Sequence, residues 1–367
     1  MNRRTFVAGA GAALAAGPAA AQAPVRAWET LSLTEAGFRP DANERIAKAF
    51  ADGQLKGLHG LVVLRHGKIA MEHYFAGEDE IWGDRRGTIA FNADELHDLR
   101  SVSKSIVGLV YGIALAEGLV PKPDASVLAS FPNYPDLAAD ADRQRIKVEH
   151  VLTMSMGLEW NESLPYTDPR NSEIAMEYAP DRYRFILERT IARPPGELWT
   201  YSGGATALLG GLITKGSGQR LGEFASSRLF APLGISTFAW TRGPNGEDAA
   251  ASGLRLRPRD LAAIGQLVLD KGSYGGRKLV PADWMAQSLS RRTQLPDGLG
   301  YGYQWYVGSD RASAPWYGAF GNGGQRLLVW PRLGVVIAIT CGNYNQPGNG
   351  KMPMQLANEF VLGALAP

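Results

Sequence analysis

The chain has 367 residues, 45% of them hydrophobic and 20% charged, with 38 Lys and Arg against 36 Asp and Glu. That length can bury a large core and suits one large domain or two interleaved ones. The near balance of charge argues against a nucleic-acid or anionic-membrane partner, and a lone cysteine, Cys341, excludes an internal disulfide and zinc sites built on cysteine clusters.

Asn2-Arg3-Arg4-Thr5-Phe6-Val7 is a twin-arginine start, followed by an Ala/Gly-rich apolar stretch and the A-x-A cleavage signal Ala21-Gln22-Ala23. The stretch is too short and too alanine-rich to span a bilayer well. Residues 1–23 are therefore expected to be a cleaved signal peptide, giving a periplasmic or secreted protein with no stable membrane insertion after cleavage. Without Arg3 and Arg4, 36 basic residues face 36 acidic ones.

Two strands are predicted over 59–65 and 68–74, with His66-Gly67 as their tight turn. Next comes Ser101-Val102-Ser103-Lys104, which opens a long apolar run reading as a buried helix over 101–117, ended by Gly118. Further helices are predicted over 182–190, 204–215, 221–229 and 258–270. Residues 305–307 suggest a strand, and 325–330 with 335–340 form a second hairpin around Pro331-Arg332-Leu333-Gly334. Pro353 starts a C-terminal helix. Strands at both ends with helices between them predict an α+β fold: an antiparallel sheet built from the two ends, flanked by helices, with a mostly helical middle lobe. The expected division of residues 24–367 is a sheet lobe of about 24–100 plus 295–367 and a helical lobe of about 101–294.

None of the other nine lysines has a serine three residues before it. Positions i and i+3 share a helix face, so Ser101 Oγ and Lys104 Nζ can meet at the helix N-terminus. A serine hydroxyl is a weak nucleophile until a neighbouring base takes its proton, and a buried lysine with a depressed pKa is a candidate base. The bland alternative makes Ser101 a plain helix N-cap and Lys104 a solvated first-turn residue. Other chemistries find little support. There is no Gly-x-Ser-x-Gly elbow, and all five histidines precede residue 151 without metal-ligand spacing. No cofactor or metal is expected.

Two downstream elements keep a consistent order with the Ser-x-x-Lys tetrad. They are Pro195-Gly196-Glu197-Leu198-Trp199-Thr200-Tyr201-Ser202-Gly203 and Gly321-Asn322-Gly323-Gly324-Gln325, the latter leading into a strand. With them the chain resembles the serine β-lactamase and penicillin-binding-protein superfamily over roughly residues 55 to 345. It looks closest to the class C-like branch that holds carboxylesterases and 6-aminohexanoate-dimer-type hydrolases. The resemblance implies a β-lactamase/transpeptidase-like fold and attack by Ser101 on an ester or amide. Lys104 would be the general-base partner and Tyr201 the proton shuttle. The oxyanion hole would comprise the Ser101 N–H and one from the strand at Gly323, Gly324 and Gln325, most plausibly Gln325.

Two departures matter. Tyr-Ser-Gly stands where β-lactamases place Asn third, and Asn-Gly-Gly stands where they place Lys-Thr-Gly or His-Thr-Gly. Losing that cation weakens the β-lactamase and D,D-peptidase readings and favours an esterase or amidase acting on a small-molecule substrate. A non-catalytic binding or sensor domain is the alternative from another class. Trp160, Tyr166, Trp199, Trp305, Trp316 and Tyr317 are candidates for either an acyl pocket or core.

Overall fold

The computed structural model describes residues 28–366, so the expected signal peptide lies outside the described residues. Among them, no helix is long and apolar enough to cross a membrane. An eight-stranded antiparallel sheet organises the fold. Its strands are β1 Leu58–Arg65, β2 Lys68–Tyr74, β5 Thr293–Gln294, β6 Gly300–Tyr301, β7 Tyr306–Ser309, β8 Pro315–Gly321, β9 Gln325–Trp330 and β10 Val335–Cys341. The spatial order is β5-β6-β7-β8-β9-β10-β1-β2, so the N-terminal pair joins the C-terminal strands through β1 and β10. The predicted α+β architecture and both predicted hairpins are present. His66 and Gly67 form the first turn with φ of 50° and 81°, as a tight hairpin requires.

Strand residues alternate between two cores. Val62, Leu64, Leu327, Val329, Val336 and Ala338 face the larger one. Leu61, Val63, Leu328, Trp330, Ile337 and Ile339 face a second, capped by α1 (Ala42–Ala51) and the C-terminal helical segment. Because both faces are covered, the strands read as continuous apolar runs instead of alternating ones.

Two helices fill the larger core between them, α2 (Val102–Ala116) and α4 (Gly203–Ser217), which pack against each other. Helix α5 (Pro258–Leu269) lies on the sheet against β9, β10 and β1. It comes close enough that a Cβ at Gly265 would stand 2.3 Å from Val336 Cγ1 and 2.8 Å from Leu327 Cδ1.

Of the elements that the sequence did not suggest, one bears on the site. A separate two-stranded hairpin, β3 (Ala76–Ile81) with β4 (Asp84–Ala90), stands outside the main sheet. Its sequence is charged and mostly unburied, so it carries no strand-like alternation.

Gly265→Ala is expected to lower stability by roughly 1–3 kcal/mol, the range for overpacking a close-packed contact. Urea unfolding measures it, and an unchanged midpoint would show that α5 can lift from the sheet at no cost.

Candidate active site

Ser101 sits at the N-terminus of α2, immediately after Arg100, a non-glycine residue with φ of 48°. Such backbone is costly for a residue with a Cβ and persists only where its surroundings fix it. Here Arg100 donates to Glu80 at 2.6 Å, lies 3.4 Å from Asp98 Oδ2, and stacks its guanidinium 4.7 Å from the Tyr344 ring centre. The bend aims the Ser101 hydroxyl away from cap duty: it makes no side-chain cap bond to the helix. Instead it accepts from Lys104 Nζ at 2.9 Å. The i, i+3 geometry predicted from sequence is therefore present, and the N-cap alternative is not.

Lys104 is 2% exposed, and its other partners are the Ala251 carbonyl at 3.0 Å and Glu173 Oε2 at 3.3 Å. The expectation of a depressed lysine pKa fails here. Burial pushes Lys104 down, but the Glu173 carboxylate, with Tyr201 and Glu162, outweighs burial and raises it above the ordinary lysine value. The side chain is held as an ammonium.

Tyr201 comes from the turn before α4, where Ser202 caps the helix by accepting from Ala205 N at 3.2 Å. Lys104 Nζ lies 5.0 Å from its ring centre, and the phenol also hydrogen-bonds Ser101. Burial raises the Tyr201 pKa, Lys104 opposes it, and the net shift is upward. Ser101, Lys104 and Tyr201 are thus brought together as the sequence suggested.

Sequence reasoning missed Glu173. It lies in the first turn of α3 (Ser172–Glu177), a helix capped by Asn171, and is 1% exposed. Its Oε1 accepts from Ser252 Oγ at 2.6 Å. Burial would raise its pKa, but Lys104, Ser252 and a hydrogen bond from Glu162 bring it below the usual carboxylate value. Glu162 is pushed up to about 7 by burial and then by the charge of Glu173. It accepts from Tyr166 Oη at 2.9 Å and from Gly203 N. Of the two neighbouring carboxyls, Glu162 therefore takes up a proton at higher pH than Glu173, which keeps the charge beside the ammonium.

The oxyanion expectation needs correction. Gly323 and Gly324 form the β8–β9 turn with φ of 87° and 102°, a conformation that suits glycine. Gln325 is fully buried in β9, a strand flanked on both sides. Its side chain donates to the Cys341 carbonyl at 2.6 Å and accepts from the Cys341 N–H at 2.9 Å. The strand edge nearer Ser101 belongs to β8. Strand β7 covers β8 only as far as Gly318, leaving the edge of 319–321 uncovered. A Cβ at Gly321 would stand 2.4 Å from the carbonyl of Leu99, two residues before the serine.

Ser101 opens on a cleft of about 390 Å³, with Trp82, Tyr166, Ile174 and Tyr178 on its lining and polar groups from Glu80, Arg100, Asn322 and Asn345. Of the six aromatic candidates only Tyr166 lines it. Trp305 is fully buried core, and Trp316 stacks on Trp330 over the second core. Among the described residues Arg100 is the one basic residue on the lining, and Glu80 and Asp98 neutralise it.

Beneath this wall His59, Asp79 and His97 cluster in the interior. His97 Nε2 bonds His59 Nδ1 at 2.9 Å, and Asp79 is 3.0 Å from Arg86 and 3.8 Å from Arg255. Burial pushes His59 down to about 3 and His97 to about 4, so both are neutral near pH 7. With the imidazoles bonded to each other and the carboxylate to guanidiniums, these donors are already committed.

A model of the beta-lactamase family matches residues 42–356. The chain belongs to the beta-lactamase family. A 6-aminohexanoate-dimer hydrolase from Paenarthrobacter ureafaciens is 27% identical over 321 residues, covering 81% of this chain and 74% of that protein. Two solved structures share the fold. The octameric penicillin-binding protein homologue from Pyrococcus abyssi is 17% identical, with a TM-score of 0.67 over 89% of this chain and 78% of that one. EstCE1, described as a hydrolase with promiscuous acyltransferase activity, is 16% identical, with a TM-score of 0.69 over 89% of this chain and 98% of its own. The predicted beta-lactamase/transpeptidase-like fold is therefore established.

Lys104→Met is expected to cost about 3–5 kcal/mol at pH 8, because it strands a buried carboxylate. Without the ammonium the Glu173 pKa rises in the folded state. The penalty then shrinks as pH falls to about 5 and the carboxyl takes a proton. Urea unfolding at both pH values measures it, and equal losses would show that Glu173 is not the stranded charge.

Proposed function

We propose that this chain is a serine hydrolase that cleaves a small, uncharged ester or amide through an acyl-enzyme on Ser101. One observation carries the reading: the Ser101 hydroxyl is released from helix capping and held 2.9 Å from the Lys104 ammonium at the floor of the cleft. The 27% identity to a 6-aminohexanoate-dimer hydrolase supports the hydrolase part of the reading.

Ser101 Oγ attacks the carbonyl carbon, and the carbonyl electron pair moves onto oxygen. The oxyanion is held by the Ser101 N–H and an N–H from the uncovered β8 edge at 319–321. Lys104, being an ammonium, does not accept the serine proton. The base is Tyr201, which takes that proton as a phenolate and hands it to the departing alkoxide or amine. Water then attacks the acyl-enzyme and gives its proton to Tyr201, which returns it to the departing Ser101 oxygen, so that the acid leaves and both the serine hydroxyl and the phenolate are restored. The lysine charge steadies the phenolate and the oxygens around it.

The cleft argues for an uncharged substrate. A β-lactam or peptide carboxylate calls for a free cation, whereas Arg100 is paired and Asn322 and Asn345 offer amides. For location, the twin-arginine start and the A-x-A site support export to the periplasm or beyond. Fractionation of cells expressing the full chain, with and without Arg3→Lys/Arg4→Lys, tests that reading.

With a panel of short p-nitrophenyl esters, the mature protein is expected to turn over and Ser101→Ala to lose that activity, with negligible nitrocefin cleavage by either. Intact mass should show an acyl adduct on the wild type alone. Rapid nitrocefin turnover would place the enzyme with β-lactamases, and an absence of any adduct would favour a binding domain. Because the Tyr201 pKa lies above its ordinary value, kcat is expected to climb with pH and not to level off below about pH 10. A plateau starting near neutrality would point to another base.

A further inference from the structure

Glu173 reaches Lys104 through a gap in the chain's own covalent structure. Residue 203 is glycine, and a Cβ there would stand 2.4 Å from Glu173 Oε2 and 2.8 Å from its Cδ. Any side chain at 203 would therefore push the carboxylate from the lysine. The φ of Gly203 is not in the region that favours glycine, since the residue is the first of α4 and is absent from the positive-φ set. Space alone accounts for the glycine.

The other carboxylate oxygen is held from the cleft wall. Ser252 Oγ donates to Glu173 Oε1 at 2.6 Å, and Ser252 Oγ accepts from the Trp82 indole N–H at 3.0 Å. Trp82 sits at the tip of the β3–β4 hairpin with φ of 50°, and Asp98 Oδ2 pins it by accepting from its backbone N–H at 2.6 Å. A continuous hydrogen-bonded chain thus runs from Trp82 through Ser252, Glu173 and Lys104 to the Ser101 hydroxyl. Its two ends are a cleft wall and the nucleophile.

We infer that Glu173 is the positioning residue of this site: admitted by Gly203 and braced by Ser252 and Trp82, it fixes Lys104 as a cation aimed at Ser101. The inference rests on the hydrolase reading for its effect on turnover. Glu173 acts through Lys104 and does not touch the reacting atoms. The charged and titratable groups that face it are Lys104 from α2, Glu162 and Tyr166 from the loop before α3, Tyr201 from the turn before α4, and Glu177 from its own helix, itself paired with Arg182.

Glu173→Gln keeps the shape and removes the charge. Without it, burial is left to dominate Lys104, so the lysine loses its proton at a lower pH. The expected result is a fall in kcat of roughly 30-fold or more at pH 8 with KM within about threefold. A new loss of rate should also appear as pH rises, where the wild type still gains. Glu173→Asp should restore part of the wild-type pH dependence, and Gly203→Ala should reproduce the Glu173→Gln profile by displacing the carboxylate. A Glu173→Gln profile that keeps the wild-type pH dependence overturns the inference whatever its kcat, since a merely structural role would not move it.

A second measurement reads the wild type itself and needs a variant only for assignment. In the wild type, the lysine side-chain carbon and nitrogen resonances, assigned with Lys104→Arg, should show Lys104 still an ammonium above about pH 10. Deprotonation near neutrality overturns the inference. If the wild type hydrolyses nothing and forms no adduct, the hydrolase reading fails, while this titration still decides the Glu173–Lys104 pairing.

Discussion

The site depends on keeping one positive charge inside a dry interior. A lone buried ammonium would shed its proton, because burial penalises the charged form by several kcal/mol. Lys104 escapes that outcome because the Glu173 carboxylate, helped by Tyr201 and Glu162, outweighs burial, while the Ala251 carbonyl and the Ser101 hydroxyl take its other hydrogen bonds. Much of the local sequence serves that requirement. Gly203 leaves room, Asn171 starts the helix that carries Glu173, and Glu162 gives Glu173 a proton to share without adding a second full charge. The pair is not a stability device, since an apolar replacement of similar shape can be as stable. Its value lies in fixing which group is charged and where it points.

The scaffold holds that arrangement in place. Helix α2 is buried along most of its length between the sheet and α4, so Ser101 and Lys104 start from a rigid element. The unfavourable backbone at Arg100 is held by Glu80, Asp98 and Tyr344, from three separate parts of the chain. Strand β8 ends beside Leu99 with its outer edge uncovered, so sheet and helix meet next to Ser101.

What the sequence disclosed follows from distance along the chain. Ser101 and Lys104 are three residues apart, and local periodicity suffices to pair them. The hairpins were equally legible, because each strand meets its neighbour across a short turn. Glu173 was not, because its partner lies 69 residues away and nothing in Asn171-Ser172-Glu173 marks a buried acid. The sense of the lysine shift was misread for the same reason: burial was foreseeable and the carboxylate beside it was not. Gly323 and Gly324 drew attention as glycines often do at a substrate strand, yet their φ values belong to a turn. The uncovered β8 edge emerges only from the length of β7, a pairing property invisible in one strand alone.

The β3–β4 hairpin stands apart from the main sheet, yet contributes Glu80, Trp82 and Gly83 to the cleft. Most of its surface is free to vary, since few of its side chains enter either core. The exceptions are Trp82, tied to Asp98 and Ser252, Glu80, bonded to Arg100, and the buried Asp79, paired with Arg86. The chain therefore has a segment in which substitutions can reshape the mouth of the cleft at little cost to folding, provided that the indole and the two acids are kept. Divergence in substrate preference would then accumulate around Trp82, and a directed library built on this scaffold would vary the hairpin's rim and hold its tip constant.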